Sequence, residues 1–294
     1  MIRLLRAGFL RYVKNIVFWL SVAVTSCLAV FFGINYGGGY SAMAEFVVFA
    51  VLLTWIIGRE QGDGMFHNKI LAGYTRTEIY FSELLLGCGA CAFLFFIFAL
   101  IYAFVGYRLE DVSSAALLEL LLGALLANLV MAAFLVALAC LIGNRYAAVV
   151  ICILLTIGMP FVSVWIRKPA TIKEYRTETK LVWEEYTKED GTSALKSEVR
   201  ELRVYNTAWV GEPAYTVCVF LYNVLPAGQM QEYEQAGGIW QRKDGGSTEL
   251  YLLETLEISE EDEEEFLLNL VYALIALPVV CAGGWLGFRK REFL

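Results

Sequence analysis

Residues 15–58 read NIVFWLSVAVTSCLAVFFGINYGGGYSAMAEFVVFAVLLTWIIG, and Glu45 is their only charge. Crossing about 30 Å of hydrocarbon takes roughly 20 apolar residues at about 1.5 Å of rise each, so this stretch is long enough for two passages. The run Gly37-Gly38-Gly39 interrupts it near its middle, as turn-forming glycines do. Two helices, 15–34 and 40–58, joined by a tight outer turn, are expected. Further apolar runs at 79–105, 115–141, 146–166 and 266–288 bring the expected crossings to six.

Composition points the same way. Residues of the set AVILMFWYC make up 59% of the 294, only 18% are charged, and mean hydropathy is +0.59. A soluble domain holds nearer 45–50% apolar and about 25% charged residues. The expected fold is an all-α polytopic membrane protein of six transmembrane helices, with a small α+β extracellular insert between helices five and six. Its parts are 1–166, 167–265 and 266–294. A net charge of −7 leaves no excess of Lys and Arg to neutralise phosphates, which argues against a nucleic-acid partner.

The flanks set the direction. Arg3, Arg6, Arg11 and Lys14 precede the first crossing, and Arg59, Lys69 and Arg76 lie between the second and third. Arg145 lies between the fourth and fifth, and Arg289, Lys290 and Arg291 follow the sixth. With six crossings all of these fall on one side, which the positive-inside rule makes cytoplasmic, and both termini lie there too. A basic start before an apolar run also fits a signal peptide, with Val24-Thr25-Ser26-Cys27 as a loose lipoprotein box, but the uncharged run is long for such a signal.

The hydrophilic insert 167–265 carries eleven Lys or Arg against twenty-one Asp or Glu, so the acidity of the chain is expected outside. Tyr175 to Tyr186 and Val199 to Tyr205 flank the polar turn Lys188 to Thr192, the pattern of a β-hairpin, although Ala194 to Val204 also permits a helix. The apolar run Pro213 to Leu225 is too short to span and reads as a helix against the outer membrane face or the bundle. Residues 260–265, EEDEEE, read as a solvated helix start whose carboxylates favour the positive end of the helix dipole, or alternatively as a trap for a cationic substrate.

Chemistry-bearing motifs are absent. Six of the seven cysteines sit in apolar runs as small hydrophobes, leaving Cys218 without a disulfide partner, and the single His67 cannot build a metal site alone. There is no Gly-rich phosphate loop, nucleophile elbow or zinc-protease helix, so no catalytic residue and no metal is expected. Glu45, Glu83 and Glu119 lie near helix ends and are expected to snorkel to an interface, while Asn128, near the middle of the fourth helix, is expected to bond between helices. Gly87, Gly89, Gly283, Gly284 and Gly287 are expected at close helix contacts.

The most informative segment is Gly58 to Phe81, GREQGDGMFHNKILAGYTRTEIYF. Gly62-Asp63-Gly64 makes a turn, Met65 to Ala72 a two-turn helix, and Gly73 ends it. Thr75-Arg76-Thr77-Glu78 then has the spacing of a capping box. A short amphipathic helix between two crossings on the basic side is either an interfacial anchor or a docking surface.

Here the sequence resembles the membrane subunit of ABC-2 type exporters. In that family the second and third helices are joined by a segment close to E-x-x-x-G-T/S-I-R-N-K-L/I-x-x-G-x-S/T-R-x-x-I/V-Y. Glu60, Gly64, Asn68, Lys69, Ile70, Gly73, Thr75, Arg76, Ile79 and Tyr80 fit it, whereas Met65, Phe66 and His67 depart from it. Leu225-Pro226-Ala227-Gly228-Gln229 and the ending Gly287-Phe288-Arg289-Lys290-Arg291-Glu292-Phe293 are similar to two further family features.

The resemblance implies that 64–72 is a coupling helix docking on a separate ATP-binding subunit. Gly64, Met65, Phe66, His67, Asn68, Lys69, Ile70, Leu71, Gly73 and Arg76 would form that surface, with Phe66, Asn68, Lys69 and Ile70 facing the ATPase. It also implies a permease homodimer, or a heterodimer with a sister permease, in a bacterial plasma membrane, with Mg-ATP held by the partner and no cofactor in this chain. Substrates across the family include antimicrobial peptides, drugs, ions and polysaccharides. The acidic insert, with aromatics at Trp183, Tyr186, Trp209 and Trp240, leans towards a cationic peptide. Two other classes fit a polytopic chain: an ion-coupled transporter, and a sensor or scaffold with an external ligand domain.

Overall fold

The computed structural model describes residues 1–35, 42–106, 114–171, 175–187, 193–206, 208–228 and 260–290. The glycine turn 37–39, the hairpin turn 188–192, Gln229, Trp240 and Arg291 to Phe293 lie outside the described residues, as do the side chains of Glu119, Trp183, Tyr186 and 260–269. Nine helices and two strands are described: α1 (Ile2–Lys14), α2 (Ile16–Asn35), α3 (Ala42–Gly62), α4 (Met65–Leu71), α5 (Arg76–Gly106), α6 (Ser114–Leu141), α7 (Arg145–Thr171), β1 (Tyr175–Thr187), β2 (Ser193–Tyr205), α8 (Glu212–Val224) and α9 (Glu260–Lys290). They fall into two units, one formed by Met1–Ser163 with Asn223–Leu294, the other by Val164–Tyr222.

In the first unit α6 is the most enclosed of the long helices, packing against α3, α5 and α9, while α2 lies along α5. Phe46, Phe49, Leu52, Leu53 and Ile57 from α3 meet Met131, Leu135 and Val136 from α6 in one buried core. Outward faces are apolar as well: Trp19 and Leu20 on α2, Phe93 and Phe96 on α5, Leu154 and Phe161 on α7, and Leu274 and Val279 on α9 are all exposed. Apolar surface on this scale is what a bilayer covers.

Four helices are long and apolar enough to cross, Arg76–Val105, Leu121–Leu141, Arg145–Pro169 and Leu270–Lys290, and α1 with α2, bent by 63°, makes a fifth if counted as one span. The expectation of six is thus met by four to five. α3 is not among these candidate spans. Several long apolar helices mark a multi-pass membrane protein.

Small residues permit the tightest contacts, though not at every expected position. A methyl group on Gly284 of α9 would run into the Tyr80 hydroxyl and come 2.5 Å from Ala137 Cβ, and one on Gly87 of α5 would come 2.6 Å from Val136. Gly287 similarly sits against Leu141, whereas Gly89 and Gly283 face open space. Helix starts follow local chemistry. The Thr75 hydroxyl accepts the Glu78 N–H at 3.2 Å while Glu78 accepts the Thr75 N–H at 3.0 Å, the reciprocal capping box that opens α5. Asn144 Oδ1 accepts the Tyr146 N–H at 3.0 Å to open α7.

In the second unit β1 and β2 pair antiparallel, from Tyr175 opposite Tyr205 to Thr187 opposite Ser193. Residues 194–204 are therefore strand and not helix. The apolar run after Pro213 is helical, as α8, and the acidic run 260–265 forms the first turns of α9.

Candidate functional site

One end of the first unit gathers the last turns of α3, α6 and α9, the first turns of α5 and α7, and all of α4. Gln61 Nε2 donates to the Ala139 and Cys140 carbonyls at 2.9 and 3.2 Å, a methyl group on Gly58 would come 2.9 Å from Arg145 Cβ, and the Trp285 indole donates to Thr77 Oγ1 at 3.1 Å. Arg76 Nη1 donates to the Arg289 carbonyl at 2.9 Å. Arg59, Lys69, Arg76, Arg145 and Arg289, which the sequence assigns to one side, are thus brought to one end of the bundle.

At that end α4 is bounded by left-handed glycines, Gly64 with φ of 69° and Gly73 with φ of 88°. Gly73 closes the helix in a Schellman arrangement: its N–H donates to the Ile70 carbonyl at 2.9 Å, and the Tyr74 N–H to the Lys69 carbonyl at 3.1 Å. A side chain at φ near 88° is strained, so glycine is what lets the chain reverse there.

The inner face of α4 is built into the core. Phe66 is 2% exposed and meets Phe288 edge to face with ring centroids 5.8 Å apart, and Phe288 in turn lies 5.7 Å from Tyr80. Ile70 packs half-buried on the same core. Lys69 turns inward, its Nζ donating to Glu60 Oε2 at 2.6 Å and Glu83 Oε1 at 2.7 Å and lying 4.9 Å over the Phe66 ring. Arg11 of α1 completes the cluster, with Nη1 donating to Glu60 Oε1 and Nη2 at 3.9 Å from Glu83 Oε1.

Two cations and two carboxylates therefore tie α1, α3, α4 and α5 together. Glu60 lies just past the apolar stretch of α3. Burial would push its carboxyl up, but Lys69 and Arg11 outweigh burial and hold it below the usual carboxylate range.

Of the residues expected to face an ATPase, two turn into the bundle. Phe66 and Lys69 are internal ties and Ile70 is half-buried, whereas His67, Asn68 and Leu71 are exposed, Leu71 at 73%. Met65 and Gly64 are half-exposed, and Gly73 is exposed. Met65 also edges a cleft of about 380 Å³ between α1 and α3, which Leu10, Lys14, Ile56 and Arg59 line.

The expected snorkelling of Glu45 and Glu83 does not occur: Glu45 is 1% exposed and Glu83 is 0% exposed. Asn128 does not link helices through its amide, because Nδ2 donates to Ala124 one turn back in α6 at 2.8 Å. Sequence reasoning missed Arg11 as a site residue, and also the helix that carries it. The available signal was Leu4, Gly8 and Tyr12, which form the buried stripe of α1. Among the described residues no group of His, Cys, Asp and Glu could hold a metal ion.

The fold and its charged end define a helical, multi-pass membrane protein with a buttressed two-turn helix at one end of the bundle. No family model, curated protein or solved structure matches the chain.

Proposed function

We propose that the chain is the membrane-spanning permease subunit of an ATP-driven exporter of the ABC-2 type in a bacterial plasma membrane. In this reading α2, α3, α5, α6, α7 and α9 are six crossings, both termini are cytoplasmic and residues 167–265 are extracellular. The permease acts as a homodimer or with a sister permease. A separate subunit binds and hydrolyses Mg-ATP, and a peptide or drug is carried outward.

The observation that carries the reading is α4. It is a short helix outside the apolar spans, tied to α3 and α5 through Lys69 and to α9 through Phe66, with α1 joined to the same cluster by Arg11 on Glu60, and it presents His67, Asn68 and Leu71 to solvent. An element whose inner face is so tied transmits a push on its outer face to α1, α3, α5 and α9, as coupling between an ATPase and a membrane bundle requires. A bare interfacial anchor would gain nothing from a buried four-charge tie, which costs desolvation.

The test is Leu71→Asp in the full chain. Loss of ATPase association and of transport, with unchanged membrane levels, supports docking; unchanged association and transport refutes it. A second reading, ion-coupled transport, draws on Glu45, enclosed in an apolar helix as intramembrane carboxylates of such transporters are. It predicts flux in sealed vesicles driven by an ion gradient without ATP, abolished by Glu45→Gln.

A further inference from the structure

The surface of α1 divides into three sectors. Residues along a helix are about 100° apart, so Leu4, Gly8 and Tyr12 form one stripe, and this stripe is buried against the bundle. Ile2, at 83% exposure, and Phe9, at 60%, fall together on a second, apolar sector that no part of the described chain covers. Arg3, Arg6 and Lys14 fall on a third, around the exposed Leu10; all three are exposed and none is in an ion pair among the described residues. Lys14 also reaches the edge of the α1–α3 cleft, which the Arg59–Asp63 pair and Glu60 line as well.

An apolar sector beside a basic one is the pattern of a helix that lies in a membrane interface. The 63° bend between α1 and α2 fits that placement: with α2 crossing, α1 runs closer to the membrane plane than to its normal. We propose that α1 is a binding site for anionic phospholipid, with Arg3, Arg6 and Lys14 holding headgroup phosphates and Ile2 and Phe9 seated among the acyl chains. The inference rests on α2 being a crossing and is independent of any ATPase. The occupant is set by charge and amphipathicity together: phosphate satisfies the unpaired cations, and only a lipid also covers the adjoining apolar sector.

The test is equilibrium binding of fluorescent short-chain phosphatidylglycerol and phosphatidylcholine to the full chain in neutral detergent, read by anisotropy. Wild type should prefer phosphatidylglycerol, and the preference should shrink as salt rises. The triple variant Arg3→Gln, Arg6→Gln, Lys14→Gln should weaken phosphatidylglycerol binding on the order of 100-fold at low salt while leaving phosphatidylcholine binding unchanged. The charge-conserving variant Arg3→Lys, Arg6→Lys, Lys14→Arg should bind as wild type does.

Equal binding of the two lipids by wild type, or undiminished phosphatidylglycerol binding by the triple Gln variant, would overturn the proposal. Displacement of the lipid by sn-glycerol 3-phosphate at equal concentration would also overturn it, by making the ligand a soluble phosphate.

Discussion

Replacing Lys69 by Ala removes the ammonium shared by Glu60 Oε2 at 2.6 Å and Glu83 Oε1 at 2.7 Å. The side chains of Glu60 and Glu83 are 6% and 0% exposed, so water cannot take over the lost bonds without opening the helix junction. Arg11 remains close to Glu60, but its nearest approach to Glu83 is 3.9 Å and it is the most exposed member of the cluster. Stranding one partner of a buried pair costs about 3–5 kcal/mol, against about 0.3–0.5 kcal/mol for an exposed i,i+4 pair such as Arg59 with Asp63.

Lys69→Ala should therefore lower the thermal midpoint of the purified full chain in detergent by on the order of 10 °C, at about 2–4 °C per kcal/mol. Asp63→Ala should change it little. The double variant Lys69→Met, Glu83→Gln should recover most of the loss, because a neutral pair leaves no stranded charge inside. If Lys69→Ala melts within about 1 °C of wild type, or if the double variant is worse than the single, the cluster is not the tie described above.

Three further outcomes are expected. Phe66→Asp should destabilise the chain by at least the about 3–5 kcal/mol of a truncated buried Phe and lower its membrane levels, while Leu71→Asp should leave the thermal midpoint within the scatter of surface changes, so melting curves separate the buried face of α4 from its exposed one. Gly73→Ala should cost about 1–2 kcal/mol by forcing a side chain into the left-handed region, and Gly284→Val should cost about 1–3 kcal/mol by driving α9 off Tyr80 and Ala137, both read as midpoint shifts. Cysteines at Ser193 and Ser247 of a cysteine-free background should react with an impermeant thiol reagent on intact cells and one at Thr75 should not; labelling at Thr75 would reverse the orientation.

Helix positions were legible in the sequence because their signals are local. Apolar length placed α2, α5 and α6 to within three residues, while α7 runs five residues past its expected end and α9 starts six residues early, and the Thr75–Glu78 spacing announced the cap of α5. Gly64 and Gly73 bracketed α4 because only a left-handed turn needs glycine at both ends.

The facing of α4 was not legible. A lysine and a phenylalanine three residues apart on a short amphipathic helix suit a docking surface, and what turns Lys69 inward is a pair of carboxylates nine and fourteen residues away on two other helices. Glu83 misled for the same reason: seven residues into α5 it has the reach to snorkel, yet a cation from α4 meets it inside. The sequence shows α1 as a basic flank when charges are counted for orientation, because that count overlooks the period on which Leu4, Gly8 and Tyr12 recur.

The central claim, that this chain is a permease driven through α4 by a separate ATPase, is tested most directly by purifying the tagged chain from its own host membrane in mild detergent and identifying what accompanies it. The account predicts an ATP-binding subunit with a Walker loop in equal amount, present with wild type and lost with Leu71→Asp. A chain that purifies without such a subunit, and whose vesicles move substrate on an ion gradient alone, would contradict it.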